Sequence, residues 1–267
     1  MTEHETTETT GGPQGRLKSA ASARWNDARS AEMWGQYADG VTQHDGRRAW
    51  ERVIRDIVGD DSRRVLDVGT GAGFLAGLYA QLGHDVVGCD FSEPMLEQAR
   101  ERAERDGFDA RFTTGDAEAL PFDDASFDVV TNRVMIWSLP NPGIAVREWY
   151  RVLRPGGQVV LFGNHPEDPT RSLTERAVRR LYAASLRVRR GKSANSLDDD
   201  TQRTWYEAKT DLPFHHAPPS KIRSLFDAAG FVDTRIVDVA ETFDQWRTLG
   251  PWRERVPWHV VVGRKPE

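Results

Sequence analysis

Three carboxylates lie at the ends of three successive short apolar runs, and their neighbours narrow what they can bind. The first run, Arg64-Val65-Leu66-Asp67-Val68, leads into Gly69-Thr70-Gly71-Ala72-Gly73. Glycines let the backbone turn tightly and let a ligand approach with no Cβ in the way. Their spacing is G-x-G-x-G, whereas dinucleotide sites use G-x-G-x-x-G. Asp67, two residues before the first glycine, is a poor neighbour for a pyrophosphate and a good partner for an ammonium group. The second run, Asp85 to Cys89, ends at Asp90, where an acid can accept from both hydroxyls of a ribose. The third ends in Thr114-Gly115-Asp116-Ala117, where Asp116 can accept from an exocyclic aromatic amine. Each has a plainer reading: a capped glycine turn, a helix-capping acid, a Gly-Asp turn. Together, the three suit a ligand with an ammonium, a ribose diol and an aromatic amine, and no phosphate.

The elements that must position these acids alternate. Strands are predicted over Arg64–Val68, Asp85–Cys89, Ala110–Thr114, Phe127–Thr131 and Gln158–Gly163. Helices are predicted over Phe74–Leu82, Ser92–Asp106 (Ser92 as N-cap, Pro94 in the first turn) and Pro142–Leu153, the last stopped by Pro155-Gly156-Gly157. Such alternation implies an α/β fold, a parallel sheet with right-handed crossovers and helices on both faces. Ligands in such sheets sit at the carboxyl ends of the strands. Residues 1–21, rich in Thr, Glu and Gly, read as a disordered tail. Residues 22–58 read as a helical cap segment, with Trp50, Val53, Ile54 and Ile57 on one helix face. The core is assigned to 59–165 and an inserted cap or substrate segment to 166–217. The end of the core, 218–267, carries a helix over Pro219–Gly230 and strands over Val232–Val239 and Trp258–Gly263.

Four motifs then carry a resemblance: Val65 to Gly73, Cys89-Asp90-Phe91-Ser92-Glu93-Pro94-Met95-Leu96, Gly115 to Phe122, and Val152-Leu153-Arg154-Pro155-Gly156-Gly157. Residues 64–163 resemble the class I S-adenosylmethionine-dependent methyltransferases, in the small-molecule branch similar to the enzymes of ubiquinone and menaquinone biosynthesis. S-adenosylmethionine has the ammonium, the diol and the aromatic amine, and no phosphate. The resemblance implies a Rossmann-like, doubly wound, seven-stranded, mostly parallel sheet whose last strand, Trp258–Gly263, is antiparallel. It implies donor contacts from Gly69, Gly71 and Gly73 of the loop, ribose contacts from Asp90, and adenine contacts from Asp116 and Ala117. It also implies packing on adenine by Phe91 and Met95, and the Asn132 backbone near the methionine amine. Trp34 and Tyr37 resemble aromatics that close over the cofactor. After the fourth strand this chain departs from the quinone enzymes: it reads Val134-Met135-Ile136-Trp137-Ser138, so the acceptor need not be a quinone. Trp137 fits either the acceptor pocket or the core.

The expected reaction is methyl transfer to a small-molecule acceptor, with S-adenosylhomocysteine as the product. Transfer from a sulfonium asks mainly for proximity and alignment, which can supply up to roughly 7–11 kcal/mol. His165, His44 and His216 are the candidate bases where the acceptor must lose a proton, with His215 beside them. Trp205 is a candidate for the acceptor wall. No His, Cys or acid spacing resembles a metal site. The single cysteine, Cys89, excludes a disulfide framework within the chain and argues against chemistry that needs several thiols. A net charge of −5 argues against a nucleic-acid partner, and the basic run Arg187 to Lys192 reads as a solvated face. No apolar stretch is long enough to span a membrane and no secretory pattern opens the chain, so the expected location is cytoplasmic, as a monomer or homodimer. The rivals are a dinucleotide oxidoreductase, and a sensor that keeps the fold and the donor site without turnover.

Overall fold

The computed structural model describes residues 13–42, 45–164, 199–215, 217–239, 242 and 258–267. Seven strands, β1 (Arg64–Val68), β2 (Asp85–Asp90), β3 (Arg111–Thr114), β4 (Phe127–Arg133), β5 (Leu153–Asn164), β6 (Val232–Asp238) and β7 (Trp258–Arg264), form one sheet in the order β3-β2-β1-β4-β5-β7-β6. Every pairing is parallel except those of β7, which runs antiparallel to both β5 and β6. This is the sheet expected from the strand pattern and the resemblance. The chain leaves β1 towards β2 on one side, and β4 flanks β1 on the other. That is the switch point where an open sheet leaves a crevice.

Eight α-helices are described: α1 (Pro13–Trp25), α2 (Ala28–Thr42), α3 (Asp45–Val58), α4 (Phe74–Gln81), α5 (Glu93–Asp106), α6 (Pro142–Val152), α7 (Asp199–Ala208) and α8 (Pro219–Ala228). Strand alternation divides the core in two. Leu66, Val130 and Leu161 pack with Trp149 of α6 and Phe226 of α8. Val65, Val129 and Val160 pack with Trp50 and Ile54 of α3 and with Leu75 and Tyr79 of α4. The stripe Trp50, Val53, Ile54 is thus the buried face of α3. β5 begins at Leu153, earlier than its apolar run suggests. The segment Arg154-Pro155-Gly156-Gly157 joins the strand through a register shift opposite Phe127 and Val129.

One boundary needs correcting. Residues 13–21, assigned by composition to a disordered tail, belong to helix α1. Leu17, Ala20 and Ala21 are buried against Trp205 of α7 and Leu212, with Trp25 alongside. These positions recur at helical spacing, but the Thr- and Glu-rich residues ahead of them dominate the average. Residues 1–12 lie outside the described part.

Ser92 joins this helix to the sheet. It is the N-cap of α5, its Oγ accepting from Met95 N at 3.3 Å, and the same hydroxyl donates to Trp25 O at 2.7 Å. Ser92→Ala is expected to cost about 1–2 kcal/mol of stability, within the range for a lost N-cap. Urea unfolding measures this; a change below about 0.3 kcal/mol would show that neither bond matters.

Candidate functional site

The carboxyl ends of β1, β2, β3 and β4 open into a cleft that communicates with solvent. The glycine loop forms one wall and Phe91 and Met95 another, while Ala21, Trp25 and Trp34 come over from α1 and α2. Of the residues singled out in the sequence, Asp67, Gly69, Gly71, Asp90, Phe91, Met95, Asp116, Ala117 and Trp34 all line this one cleft.

Asp67 is buried, and its Oδ2 accepts from Thr70 Oγ1 at 2.7 Å and from Ala76 N at 3.1 Å. It therefore also ties the loop to the first turns of α4. Burial pushes its carboxyl up to about 6, against those two bonds and the charge of Arg133. Asp90 accepts from Gly71 N at 2.8 Å on Oδ2 and from Ser92 N at 3.0 Å on Oδ1. Burial raises its carboxyl too, and these bonds hold it down. A carboxylate has about four acceptor positions, so a diol can still be received. Asp116 is half-exposed; its Oδ1 accepts from Glu118 N, and Lys18 of α1 donates to its Oδ2 at 2.9 Å while pairing with Glu118 at 3.0 Å. A helix missed in the sequence therefore reaches over the acid assigned to the aromatic amine.

Gly71 is the clearest cradle. Its φ is +53°, and a Cβ built there meets no atom within 4 Å, so a side chain would project into open space. A Cβ on Gly69 would lie 2.6 Å from Met135 Cγ, so Met135 packs directly over that glycine. Gly73 is the left-handed N-cap of α4, and its Cβ would fall 3.1 Å from Ala99 Cβ on α5, so here the glycine also permits close helix packing.

Three further residues are placed by the packing. Asn132, expected to offer its backbone, is buried, and its Nδ2 donates to Val68 O at 2.6 Å, tying β4 to β1. Trp137, partly buried, packs on the core that holds α6. Trp205 is buried with α1, 6.1 Å from Trp25, and supports the roof without lining the cleft. Tyr37 lies on α2, but its side chain is outside the described residues, as are His44, His165 and His216 entirely. Cys89 is buried and its thiol is pushed up to about 12, mainly by burial.

The sequence reading missed Lys18, Phe74 and the side chains of Arg133 and Met135. Val134, which follows Arg133, has φ 56°, strained for a β-branched residue, and fixes the turn from β4 into the 3-10 segment Met135–Ser138. Among the described residues, no group of three or more His, Cys, Asp or Glu is arranged to hold a metal, and no helix is long and apolar enough to cross a membrane.

Known proteins are similar to this chain in sequence and in fold. The family described as "Methyltransferase domain" matches residues 66–161. Demethylmenaquinone methyltransferase of Renibacterium salmoninarum is 38% identical over 162 residues, covering 59% of this chain and 67% of that protein. Malonyl-[acyl-carrier protein] O-methyltransferase of Erwinia pyrifoliae is 34% identical over 183 residues, covering 68% of this chain and 62% of that one. The alignments thus span about two thirds of these relatives. A phosphoethanolamine N-methyltransferase of Haemonchus contortus, solved with S-adenosylhomocysteine, superposes with a TM-score of 0.51 at 18% identity, covering 87% of this chain and 60% of that one; at that identity it shows the fold. With the seven-stranded sheet, the glycine loop and the acid-lined cleft, these matches set aside the dinucleotide oxidoreductase: the chain belongs to the class I S-adenosylmethionine-dependent methyltransferases.

Proposed function

We propose that the chain methylates a small, largely apolar acceptor held in the same cleft as the donor. The supporting observation is the continuity of that cleft. Its lining joins Asp67, Asp90, Asp116 and the glycine loop to the apolar side chains of Trp25, Trp34, Met135 and Leu139, with Ser138 adding a hydroxyl. Several relatives are named demethylmenaquinone methyltransferase, which fits this reading.

S-adenosylmethionine, when bound, supplies a methyl group on a sulfonium that is already a good leaving group. The chain's own part is placement. In this reading Asp116 and Ala117 hold the adenine, Phe91 and Met95 flank it, and Asp90 accepts from the ribose hydroxyls. Asp67 faces the ammonium, and Gly71 leaves room for the chain between. Trp25 and Trp34 exclude water and keep the acceptor in line with the breaking bond, which is the proximity term. Where the acceptor must lose a proton, His44, His165 or His216 is the proposed base, worth about 10²–10⁴-fold.

The reading has a pH consequence. Asp67 is an acid whose folded value, about 6, lies above its ordinary range, so its burial disfavours the charged form. The cost to stability is present above about pH 6 and is relieved as pH falls towards 4. Donor affinity behaves oppositely, because an ammonium pairs with the anion. Affinity is expected to be full above pH 7 and to fall up to about tenfold per unit below 6. Asp67→Asn keeps an oxygen for Thr70 and Ala76 and is expected to flatten that fall. Calorimetric titration from pH 5 to 8 checks it, and identical slopes in the two proteins would contradict the role.

The acceptor class is tested by incubating the chain with methyl-labelled donor and a panel of quinols, phenols and small carboxylic acids. Label in at least one small acceptor is expected. Label only in protein or RNA, or donor bound but never consumed over the panel, would overturn the proposal; the second result would favour the sensor.

A further inference from the structure

One face of α1 lies over the cleft. Lys18, Ala21 and Trp25 stand at i, i+3 and i+7, so they share a face of that helix. Ala21 and Trp25 line the cleft, while Leu17 and Ala20 pack with Trp205 and Leu212 in a cluster separate from the two main cores. The helix is tied down at both ends of this face. At one end the Trp25 carbonyl accepts from Ser92 Oγ at 2.7 Å. At the other, the Lys18 ammonium bridges Asp116 Oδ2 at 2.9 Å and Glu118 Oε2 at 3.0 Å. Burial opposes the Lys18 charge, but the bonds to these two acids outweigh it and raise its pKa, so the group is an ammonium at neutral pH.

The two acids differ. Glu118 is buried, and its carboxylate accepts from Asn141 N at 2.8 Å and Asn141 Nδ2 at 3.1 Å, at the N-cap of α6. It is a fixed anchor. Asp116 is half-exposed and lines the cleft. Its Oδ1 accepts from Glu118 N at 2.9 Å, so Oδ2 is the oxygen turned to other donors, and Oδ2 is the one Lys18 holds. An ammonium and an aromatic amine are both N–H donors, and an oxygen already sharing its charge with an ammonium is a poorer acceptor for a neutral amine. We infer that Lys18 competes with the exocyclic amine of the donor for Asp116. The inference rests on the reading of Asp116 given above and adds a contact within the chain that opposes it. When the amine donates to Asp116, Lys18 keeps its bond to Glu118, so the exchange costs one half of the bridge and not the whole. Seating of the base thereby loosens one of the two ties on the roof helix, and the base and the roof are coupled through a single carboxylate.

The test compares S-adenosylhomocysteine with its 6-deamino analogue, which carries hydrogen in place of the amine and keeps the rest. Both are titrated into the full chain as wild type, Lys18→Met and Lys18→Arg. The readout is the ratio of the two affinities, in which a change in the fit of the roof cancels because both ligands meet the same roof. Lys18→Met keeps the apolar stem and removes the competing donor. Its preference for the amine form is expected to exceed that of the wild type by about two- to fivefold, the range for an exposed ion pair. Lys18→Arg keeps the charge and is expected to stay near the wild-type ratio. A ratio that is unchanged or smaller in Lys18→Met overturns the competition; if the wild type still prefers the amine form, the reading of Asp116 stands. No preference for the amine form in any of the three proteins overturns both.

Discussion

Gly71→Val is expected to abolish donor binding while the chain remains folded. The left-handed backbone at φ +53° costs a non-glycine residue roughly 1–2 kcal/mol, most for a β-branched one. For a chain of this length, that lowers Tm by only a few degrees. The loss of binding has a different origin. No atom lies within 4 Å of a Cβ built on Gly71, so the isopropyl group enters the cleft itself. The amide of the same residue donates to Asp90 at 2.8 Å, so the obstruction sits beside the proposed ribose acid. A drop in donor affinity of more than about a hundredfold, near 3 kcal/mol, is expected from titration, with a melting curve as control. Normal affinity in a folded variant would contradict the placement of the loop.

Asp90→Ala carries the second large effect. Removing a charged acceptor from two hydroxyls is expected to weaken the donor by about 1–3 kcal/mol. The change also leaves Gly71 N and Ser92 N without their carboxylate partner, so stability should fall as well. The two losses separate by comparison. S-adenosylmethionine and S-adenosylhomocysteine share the ribose, so both should weaken by the same factor. Asp90→Asn, which keeps one acceptor oxygen, should lose less. Unchanged affinity for both ligands in Asp90→Ala would remove Asp90 from the site.

The parts of this site that could be read from residues alone are those fixed by short-range rules. A strand that ends in glycines and an acid after the next strand are local patterns, and the sheet brings their ends together whatever the loops do. Asp67, Asp90 and Asp116 were legible for that reason. Spacing cannot say which way a loop residue faces. Gly73 fits the same G-x-G-x-G pattern as Gly71, yet its Cβ would meet Ala99. Asn132 and Arg133 are adjacent, and alternation along β4 sends the first under β1 and the second into the cleft. That choice depends on a register only the paired sheet supplies. Helix α1 was lost in the composition of the residues before it, and with it Lys18 and the roof over the cleft. Trp137 and Trp205 show the limit for aromatic residues: a large ring near a site is as readily core or support as wall.

The central claim is that the acid-lined cleft holds an adenosyl amino acid and not a dinucleotide. Titrating the full chain with S-adenosylmethionine, S-adenosylhomocysteine and NAD, read as heat, tests it most directly. Binding of the first two with Kd of roughly micromolar order, and no heat from NAD, is the result expected. Binding of NAD with neither adenosyl ligand would contradict the account.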